Sequence, residues 1–461
     1  MKTINYKSLI FFMIAIFMTE CFLHSQEIPV IPYNGKFPSV RIETGTTFDS
    51  IVTDEFPDIW LTHSFGIHRN IWRSAEQSVY ISLEGAWDES YNFRNLPVDI
   101  RGRGNSTWRR GHEVGKAPYR IRFPSGMGRP MLDSGYSARN WSFLAELIDK
   151  TQMKNYVAYV LGSMMDTFTF TPFTRKVHLY INGDYRGVYT LVDHMDNERT
   201  KVHWDISNPA LSEFYLEWDV RAPANGDFHF LIPSTIPTSR NIPFAFRHDS
   251  GITSNSDPIV IEGRNFMNDV FTAIRSRDMD LISEIIDIPS MIDFYIVKEL
   301  YRDSDVDATS VHMTVRFDLD GDGYRTNHRR LHMGPLWDFD SMGTSNMPRI
   351  HYAVLNNEWF YHLLRTPEFK ELVRERFEFV YDEMLPIVMT FLDTMIDDYY
   401  DELMRNHDKW DLLLFFPQHH IPAMQALTTY NELVDFFKTN IIERAAWMLE
   451  FLNCETDCFC D

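Results

Sequence analysis

Hydrophobic and polar residues alternate along the front of the chain, from about Pro38 to Phe123. An alternation with a period of two sends one set of side chains to a core and the other to water, which predicts β-strands. The clearest runs are Val40–Glu43, Val79–Leu83 and Val98–Arg101. Turn-forming residues separate these runs, so we expect several short strands.

The middle of the chain has a mixed pattern. Residues 141–165 carry helical spacing, and the strand-like runs Val177–Ile181 and Tyr185–Val192 then flank Asn182-Gly183-Asp184. An Asn-Gly pair between two such runs is a specific hairpin signal, because the tight turn needs positive φ angles. Phe214–Asp219 predicts a further strand.

Residues 222–257 are rich in Pro, Ser and Asn and predict a long loop or insertion. Helical spacing dominates beyond it, from about Phe266 to Arg302 and again from Trp359 to Leu452. The strand-like run Val311–Phe317 lies between these two helical stretches.

This order of segments predicts an α+β fold. We expect a β-rich part over residues 26–265 and a helical part over residues 266–453, followed by a cysteine-containing tail at 454–461. With 461 residues, 44% of them hydrophobic and 15% aromatic, the chain can bury a large core. Disorder is therefore not expected for most of it.

The formal net charge of −21 opposes any general basic surface. Binding to nucleic acid or to anionic lipid depends on clustered Lys and Arg, so we expect neither as a partner. Local basic patches remain compatible with this balance.

Residues 1–25 have the composition of a secretory signal peptide. Lys2 and Lys7 precede the apolar run Leu9–Met18. A run of ten is well short of the roughly 20 residues that span a bilayer, so we expect a secreted or cell-envelope protein with no integral membrane span. Lipid attachment at Cys21 is the alternative, but Thr19-Glu20 is a poor lead-in for that signal.

The other three cysteines, Cys454, Cys458 and Cys460, lie within the last eight residues. They cannot cross-link the core from there. An odd number predicts one local disulfide with a leftover thiol, or an intermolecular bond. A metal knuckle would need a fourth ligand nearby.

The segment from Gly334 to Gly343 places Asp338 and Asp340 at i and i+2 in an apolar run. A strand would aim both carboxylates at one face and turn Phe339 into the core. Two carboxylates in one cleft are unfavourable unless a cation or hydrogen bonds satisfy them.

A second acidic cluster, Asp303, Asp305 and Asp307, follows a helical stretch about thirty residues upstream. Acids at the end of a helix combined with acids on a strand resemble the constellation of a phosphoryl-transfer site. Read on its own, an acidic stretch after a helix is a solvated turn.

Several blocks in the same order resemble the CotH family, the spore-coat-type secreted kinases. The likeness covers roughly Pro38 to Gly343. The blocks, besides the two acidic clusters, are Arg101–Trp108, Lys116–Phe123, Trp141–Ala145, Asp149-Lys150 with Asn155, Asn182–Tyr189 and Tyr215–Asp219.

The resemblance implies an atypical protein-kinase-like, two-lobed fold with the site at the junction of the lobes. It also implies transfer of the γ-phosphoryl group of ATP to a protein hydroxyl with Mg²⁺ or Mn²⁺. Asp305 matches the family's catalytic aspartate and Asp338 its metal ligand, with Asp340 as an added ligand.

The resemblance further implies nucleotide-binding residues. Lys116 matches the family's phosphate-binding lysine, and Arg103 and Asn105 belong to the block that would grip the nucleotide. Asp193 stands where relatives have Glu and would pair with Lys116 as kinases pair a lysine with an acid. Read alone, Lys116 is a solvated loop residue.

Two positions depart from the family pattern. Ser310 stands where relatives place an Asn that binds metal, and Asp303 stands where they commonly have Asn. These departures leave open a catalytically inactive surface or coat scaffold, which would show no metal-dependent nucleotide binding.

A further pair of acids and two tryptophans allow other interpretations of the site. Glu217 and Asp219 flank Trp218 and fit either a functional role or a strand face that meets solvent or an arginine. Glycan hydrolysis by paired carboxylates, with Trp218 and Trp337 as sugar platforms, is a third function.

Asp318–Gly323 matches only the first half of a calcium-binding EF-hand loop, because Arg329 replaces the closing Glu. With strands expected on both sides, the segment predicts an acidic hairpin turn, and a calcium site is the alternative.

Overall fold

The structure is a computed structural model, and it describes residues 35–44, 62–63, 67–74, 79–235, 241–303, 305–340, 342, 357–413 and 422–454. The predicted signal peptide, Cys21, Cys458 and Cys460 lie outside the described residues. Cys454 is disulfide-bonded.

Fifteen strands are described. In chain order they are β1 (Ser39–Glu43), β2 (Thr62–His63), β3 (Ile67–His68), β4 (Tyr80–Glu84), β5 (Phe93–Pro97), β6 (Asp99–Gly102), β7 (Tyr119–Arg122), β8 (Asn140–Leu144), β9 (Thr174–Ile181), β10 (Asp184–Asp193), β11 (Phe214–Trp218), β12 (His229–Ile232), β13 (Ile242–Phe246), β14 (Val311–Leu319) and β15 (Arg325–Met333).

Twelve α-helices are described, and short 3₁₀ turns are left unlabelled. The helices are α1 (Ser106–Val114), α2 (Lys154–Ser163), α3 (Asn197–Thr200), α4 (Ala222–Asn225), α5 (Pro258–Ser276), α6 (Met279–Ile285), α7 (Ile288–Leu300), α8 (Glu358–Leu363), α9 (Pro367–Phe379), α10 (Leu385–Trp410), α11 (Pro422–Gln425) and α12 (Tyr430–Leu452). A π-helical turn, Val380–Met384, joins α9 to α10.

Two sheets dominate the β-rich part. The first has eight strands in the order β5-β4-β1-β9-β10-β8-β7-β6, and the second has five in the order β12-β13-β11-β14-β15. Neighbouring strands are antiparallel except β1 and β9, which pair in parallel. The second sheet takes strands from both sides of the predicted boundary after residue 265, and that boundary stays a prediction.

The α+β class with a β-rich N-terminal half and a helical C-terminal part is confirmed. The two-lobed, kinase-like arrangement stays a prediction. Within the described part of the chain, each helix is too short or too polar to cross a membrane.

The hairpin predicted at Asn182-Gly183-Asp184 is confirmed. Strands β9 and β10 meet there, and Asn182 and Gly183 have φ angles of 49° and 77°. Both values are positive, as a tight two-residue turn between twisted strands requires.

The long loop predicted over residues 222–257 is wrong, because α4, β12 and β13 lie in it. All five residues of β13 are buried, and the strand includes Pro243. Proline and the polar flanks conceal a short, fully buried strand, which has no alternation to reveal it.

The helical spacing of residues 141–165 is also partly misleading, since the strand β8 precedes α2. Four of the five residues of β8 are buried, in the pattern iBBBB. A continuous apolar run of this kind fits a buried strand as well as a helix.

Helix α7 is the central helix of the larger core. Twelve of its thirteen residues are buried, all but Pro289. Because α7 is packed on every side, it cannot move without disrupting the core. It therefore fixes the position of the loop that follows it.

Helix α10 is anchored on strand β10 at Gly187. The Asn406 side chain accepts a hydrogen bond from the Val188 amide (2.9 Å), and the Trp410 indole donates one to the Arg186 carbonyl (2.9 Å). Gly187 has a φ of 95°, and a Cβ there would meet both side chains. The contact ties the C-terminal helices to the first sheet.

We expect Gly187→Ala to lower the free energy of unfolding by about 2 to 4 kcal/mol. The left-handed conformation strains a side chain by about 1 to 2 kcal/mol, and the new Cβ also collides with Asn406 and Trp410. Urea unfolding of the purified variant measures this loss.

Gly183→Ala is the matched control. Gly183 also has a positive φ, but a Cβ there would meet open space. It should lose only the strain, about 1 kcal/mol. Equal losses in the two variants would show that the contact between α10 and β10 contributes nothing.

Candidate active site

A cavity of about 680 Å³ lies where the ends of both sheets meet the loop after α7. Its lining includes residues from β6, α1, β8, β11 and the segment after β15. Five of the predicted site residues line this cavity: Arg103, Asn105, Asp305, Asp338 and Asp340. The volume is in the range of small-molecule sites.

The strand predicted for the Asp338 segment is wrong, because β15 ends at Met333 and the following residues are irregular. Asp338 has a φ of 63°, in the left-handed region. The predicted burial pattern nevertheless holds. Phe339 is fully buried while Asp338 and Asp340 line the cavity.

Phe339 holds this segment in place. Its ring packs edge-on against Tyr159 and Tyr301, and its amide donates to the side-chain oxygen of Asn155 (2.8 Å). The two aspartates are thereby fixed on either side of a core residue.

Asp305 lies in the tight loop that follows α7. The carboxylate of Asp303 accepts a hydrogen bond from the Asp305 amide (3.1 Å), and the Asp305 carbonyl accepts from Ala308 (3.0 Å) and Thr309 (3.1 Å). The backbone of the loop is satisfied internally, which leaves the Asp305 side chain to face the cavity.

The three candidate aspartates, Asp305, Asp338 and Asp340, all have raised pKa values. Burial, then Asp303 and Asp338, raise the pKa of Asp305 to about 7. Burial and the charge of Asp338 raise the pKa of Asp340 well above its ordinary value. Burial raises the pKa of Asp338 as well, against the opposing effect of Arg103. The fold therefore gathers negative charge in one place.

Lys298 provides a fully buried positive charge behind these acids. Its ammonium group pairs with Asp303, donates to the Trp337 carbonyl (3.3 Å) and lies 4.4 Å from the centre of the Phe339 ring. One side chain thus touches both acid-bearing segments. Asp303 does not line the cavity, and its carboxylate is taken up by Lys298 and the Asp305 amide.

Ser310 connects Asp338 to the second sheet. Its hydroxyl donates to the Asp338 carboxylate (3.3 Å), and its amide donates to Glu217 (2.9 Å). It has a φ of 60°, an unusual conformation for serine. The residue that departs from the family pattern therefore still lies against the predicted metal ligand.

Glu217 and Asp219 meet an arginine, one of the alternatives that the sequence left open. Arg247 forms ion pairs with Glu217 (2.5 Å), Asp219 (2.7 Å) and Asp227 (2.9 Å). These acids are neutralised within the wall of the cavity.

Lys116 does not line the cavity, contrary to its predicted contact with nucleotide phosphate. It is fully buried, and its ammonium donates to the carbonyls of Ala145 (2.5 Å) and Val188 (2.8 Å). Burial and the charge of Lys176 hold its pKa well below the ordinary value. The reading as a solvated loop residue is also wrong.

The predicted pairing of Lys116 with Asp193 is wrong. Asp193 accepts hydrogen bonds from the Tyr136 hydroxyl and the Phe173 amide (2.9 Å) and lies 3.5 Å from Arg199. It stands five residues along β10 from Val188, about 16 Å in a strand, so it cannot reach Lys116.

Glu146 is the acid that lines the cavity near the buried lysines, and sequence reasoning missed it. It accepts hydrogen bonds from Thr190 (2.7 Å) and Asn155 (3.1 Å), and Thr190 in turn accepts one from Lys176 (2.7 Å). Its φ of 49° is a strained value. The i, i+9 separation of Glu146 and Asn155 has no recognisable period.

The link between β6 and α1 brings Arg103 and Asn105 to the cavity. The Arg103 guanidinium lies 5.3 Å from the centre of the Trp337 ring. Gly102 is covered by the Trp108 ring, and Gly104 has a φ of 79°, so both glycines serve packing and turning. Asn105 caps α1 without a side-chain hydrogen bond, which leaves the first amides of the helix available to an anion.

The oxygen donors of this site fit a hard divalent cation. In the described part of the chain, no three His, Cys, Asp or Glu side chains are grouped to hold an ion by themselves. Magnesium in phosphoryl-transfer sites is bound by one or two carboxylates together with substrate phosphates, and Asp338 with Asp340 suits that mode. The charge of Asp338 raises the pKa of Asp340, and a cation between them would offset that negative charge.

The acidic hairpin turn expected at Asp318–Gly323 is confirmed. The Asp320 side chain accepts the amides of Asp322 (3.0 Å) and Tyr324 (2.8 Å), and Asp318 pairs with Arg330 (2.8 Å). The segment is an acidic hairpin turn between β14 and β15.

Comparison with known proteins gives one family. The model of the family described as CotH kinase protein matches residues 100–448, more than half of the chain. No curated protein matches the chain.

We expect Lys298→Met to destabilise the fold by about 3 to 5 kcal/mol, because it leaves the Asp303 carboxylate buried without a counter-charge. The double variant Lys298→Met/Asp303→Asn should lose less, because no charge is left unpaired. Urea unfolding of both variants tests this difference. A double variant as unstable as the single one would contradict it.

We also expect the stability of Asp305→Asn to depend on pH in a defined direction. A carboxyl group whose pKa is raised on folding binds a proton more tightly in the folded state, so stability falls as pH rises from about 4 to about 7. Asparagine removes this loss. The measurement is the thermal unfolding midpoint of Asp305→Asn minus that of the unchanged protein, with a chelator present. This difference should be about 2 °C or more larger at pH 8 than at pH 5.

Asp401→Asn, on the exposed side of α10, is the control for that measurement. It should show no such gain. A constant difference between Asp305→Asn and the unchanged protein across this pH range would mean that Asp305 titrates like an exposed carboxyl group.

Proposed function

The chain belongs to the CotH kinase protein family, and we propose that it transfers the γ-phosphoryl group of ATP to hydroxyl groups of a protein, using Mg²⁺ or Mn²⁺. We include secretion or a cell-envelope location in this proposal, on the basis of the signal-peptide composition of residues 1–25.

One observation carries the proposal. Asp305 and the pair Asp338 and Asp340 come from segments about thirty residues apart, yet they line one cavity. The charge of Asp338 raises the pKa of both Asp305 and Asp340. An acid for the acceptor hydroxyl and acids for a metal ion are the groups that phosphoryl transfer needs close together.

Asp305 would act on the acceptor. The hydroxyl oxygen forms a bond to the γ-phosphorus while the bond from that phosphorus to the bridging oxygen breaks. ADP leaves with the electron pair of the broken bond, and the hydroxyl proton passes to the Asp305 carboxylate. A pKa of about 7 suits a group that must be largely ionised and still accept a proton.

Asp338 and Asp340 would hold the divalent ion, with Ser310 orienting Asp338 through its hydroxyl. When bound, the ion neutralises charge on the phosphoryl oxygens. The buried ion pair of Lys298 with Asp303, and the hydrogen bond from Lys298 to the Trp337 carbonyl, hold the two acid-bearing segments next to each other.

Arg103 and Asn105 would hold the nucleotide phosphates through the guanidinium group and the amides at the start of α1. Lys116 supports this site indirectly, since its ammonium ties the Ala145 carbonyl, next to Glu146, to strand β10. Asp193 has a structural role with Tyr136 and Arg199.

The glycan-hydrolysis alternative lacks its sugar platforms. Trp218 is 4% exposed and packs against Trp359, and Trp337 is 7% exposed beneath Arg103. Neither indole presents a free face for stacking on a sugar ring. No observation favours this function over phosphoryl transfer.

We expect incubation with γ-labelled ATP and Mn²⁺ to label an acceptor protein or the chain itself. Asp305→Asn should reduce the rate by about 10² to 10⁴, the contribution typical of a general base. Asp338→Asn should abolish labelling or raise the Mn²⁺ concentration for half-maximal rate. Scintillation counting of the separated protein measures both effects.

Asp318→Asn is the control, because this acid lies on the β14–β15 hairpin outside the cavity. It should label like the unchanged protein. Equal or absent labelling in all variants would reject the enzymatic function. Absence of Mn²⁺-dependent nucleotide binding as well would favour the inactive scaffold.

A further inference from the structure

Six arginines line the cavity, and four of them, Arg69, Arg101, Arg103 and Arg120, come from β6, from β7 and from the residues that follow β3 and β6. In the described part of the chain, none of the four forms an ion pair with a carboxylate. Arg247, in the same cavity, pairs with three acids. Four guanidinium groups without an ion pair are unexpected in a chain with a net charge of −21.

We propose that Arg69, Arg101 and Arg120 form a subsite for the phosphate chain of a nucleoside triphosphate, next to Arg103 and the start of α1. The identity of the ligand as a triphosphate rests on the proposed function. The subsite takes over the contact that the family resemblance assigned to Lys116, whose ammonium is directed to backbone carbonyls.

Unsatisfied donors on two of these arginines support a ligand. Among the described residues, the buried Nε atoms of Arg101 and Arg120 have no hydrogen-bond partner. Arg120 is partly buried, and its Nη2 donates to the Asn140 side chain (2.9 Å). A buried donor without a partner is unfavourable, and an oxyanion in the cavity would supply the missing acceptor.

The arginines also repel one another. Burial and the charge of Arg101 lower the pKa of Arg120 to about 9, and burial with Arg122, Arg103 and Arg69 lowers the pKa of Arg101. Asp196 opposes this effect at Arg120 without pairing with it. A polyanion would convert the repulsion into attraction.

The Trp72 ring contacts three neighbouring arginines, two of which belong to the proposed subsite. The guanidinium carbons of Arg101, Arg120 and Arg122 lie 4.9, 5.3 and 4.4 Å from the centre of its ring. The aromatic face offsets some of the repulsion through cation–π contact and orients the planar groups. Rigid guanidinium groups of this kind match phosphate oxygens well.

A phosphate chain fits this wall better than a single carboxylate does. Several guanidinium groups and the amides at the start of α1 offer more positive charge than one carboxylate would neutralise. Asp338 and Asp340 line the same cavity, and Arg103 is close enough to Asp338 to act on its pKa, so a phosphate chain bound to the arginines would have a terminal phosphate near these acids.

The test is binding of inorganic tripolyphosphate, pyrophosphate and orthophosphate in a chelator, measured by titration calorimetry on the whole chain. We expect affinity to rise with chain length. Arg101→Gln should weaken tripolyphosphate binding at least tenfold. Arg122→Gln is the matched control, because Arg122 stacks on the same Trp72 but pairs with Asp99 (2.7 Å) outside the cavity. It should bind within twofold of the unchanged protein.

Thermal unfolding separates binding from folding. Arg101→Gln removes repulsion and an unsatisfied donor, so its unfolding midpoint should equal or exceed that of the unchanged protein, whereas Arg122→Gln loses an ion pair. Equal effects of the two substitutions on binding, or no binding of tripolyphosphate by the unchanged protein, would overturn the inference.

Labelling with γ-labelled ATP tells this inference apart from the proposed function. Tripolyphosphate binding that depends on Arg101, without any transfer to protein, would support the subsite and reject the kinase. Transfer with an unchanged KM for ATP in Arg101→Gln would support the kinase and reject the subsite.

Discussion

A single buried ammonium group connects the two segments that carry the candidate acids. Lys298 projects from the last turn of α7, pairs with Asp303 in one segment and donates to the Trp337 carbonyl in the other. A buried charge is tolerated only where such partners surround it, so the geometry around Lys298 leaves little freedom. The relation of Asp305 to Asp338 follows from this constraint, and every chemical role discussed above depends on that relation.

The cavity is polarised as a consequence. The candidate acids come from the two segments that Lys298 connects, and arginines without an ion pair among the described residues come from β6, β7 and the residue after β3. The charge of Arg103 partly offsets that of Asp338, but the two form no ion pair. An arrangement of this kind stores electrostatic free energy that a ligand with both a cation and phosphate groups would release.

Local features of the sequence were the most predictable. The Asn182-Gly183 turn depends only on neighbouring residues. The burial of Phe339 between two aspartates that face the cavity follows from the alternation of apolar and polar residues. The strand assigned to the same segment failed, since the positive φ of Asp338 depends on Ser310 and Asn155, which come from other elements. β13 escaped notice because a fully buried strand with a proline shows no alternation.

Long-range placement was the least predictable. Lys116 was assigned by its motif, but motif position does not reveal that the carbonyls of Ala145 and Val188 capture its ammonium. Arg69, Arg101 and Arg120 are separated in sequence and share no spacing, so only the pairing of β6 with β7 and the position of the preceding loop bring them together.

The attachment of α10 to β10 has a consequence for biosynthesis. The Val188 amide and the Asn406 side chain that satisfies it are 218 residues apart in sequence. While the ribosome is still making the region after β10, that amide has no native partner, and the bulge at Gly187 is uncovered. The Val188 amide and the backbone at Gly187 therefore gain their native partners only after α10 has been synthesised.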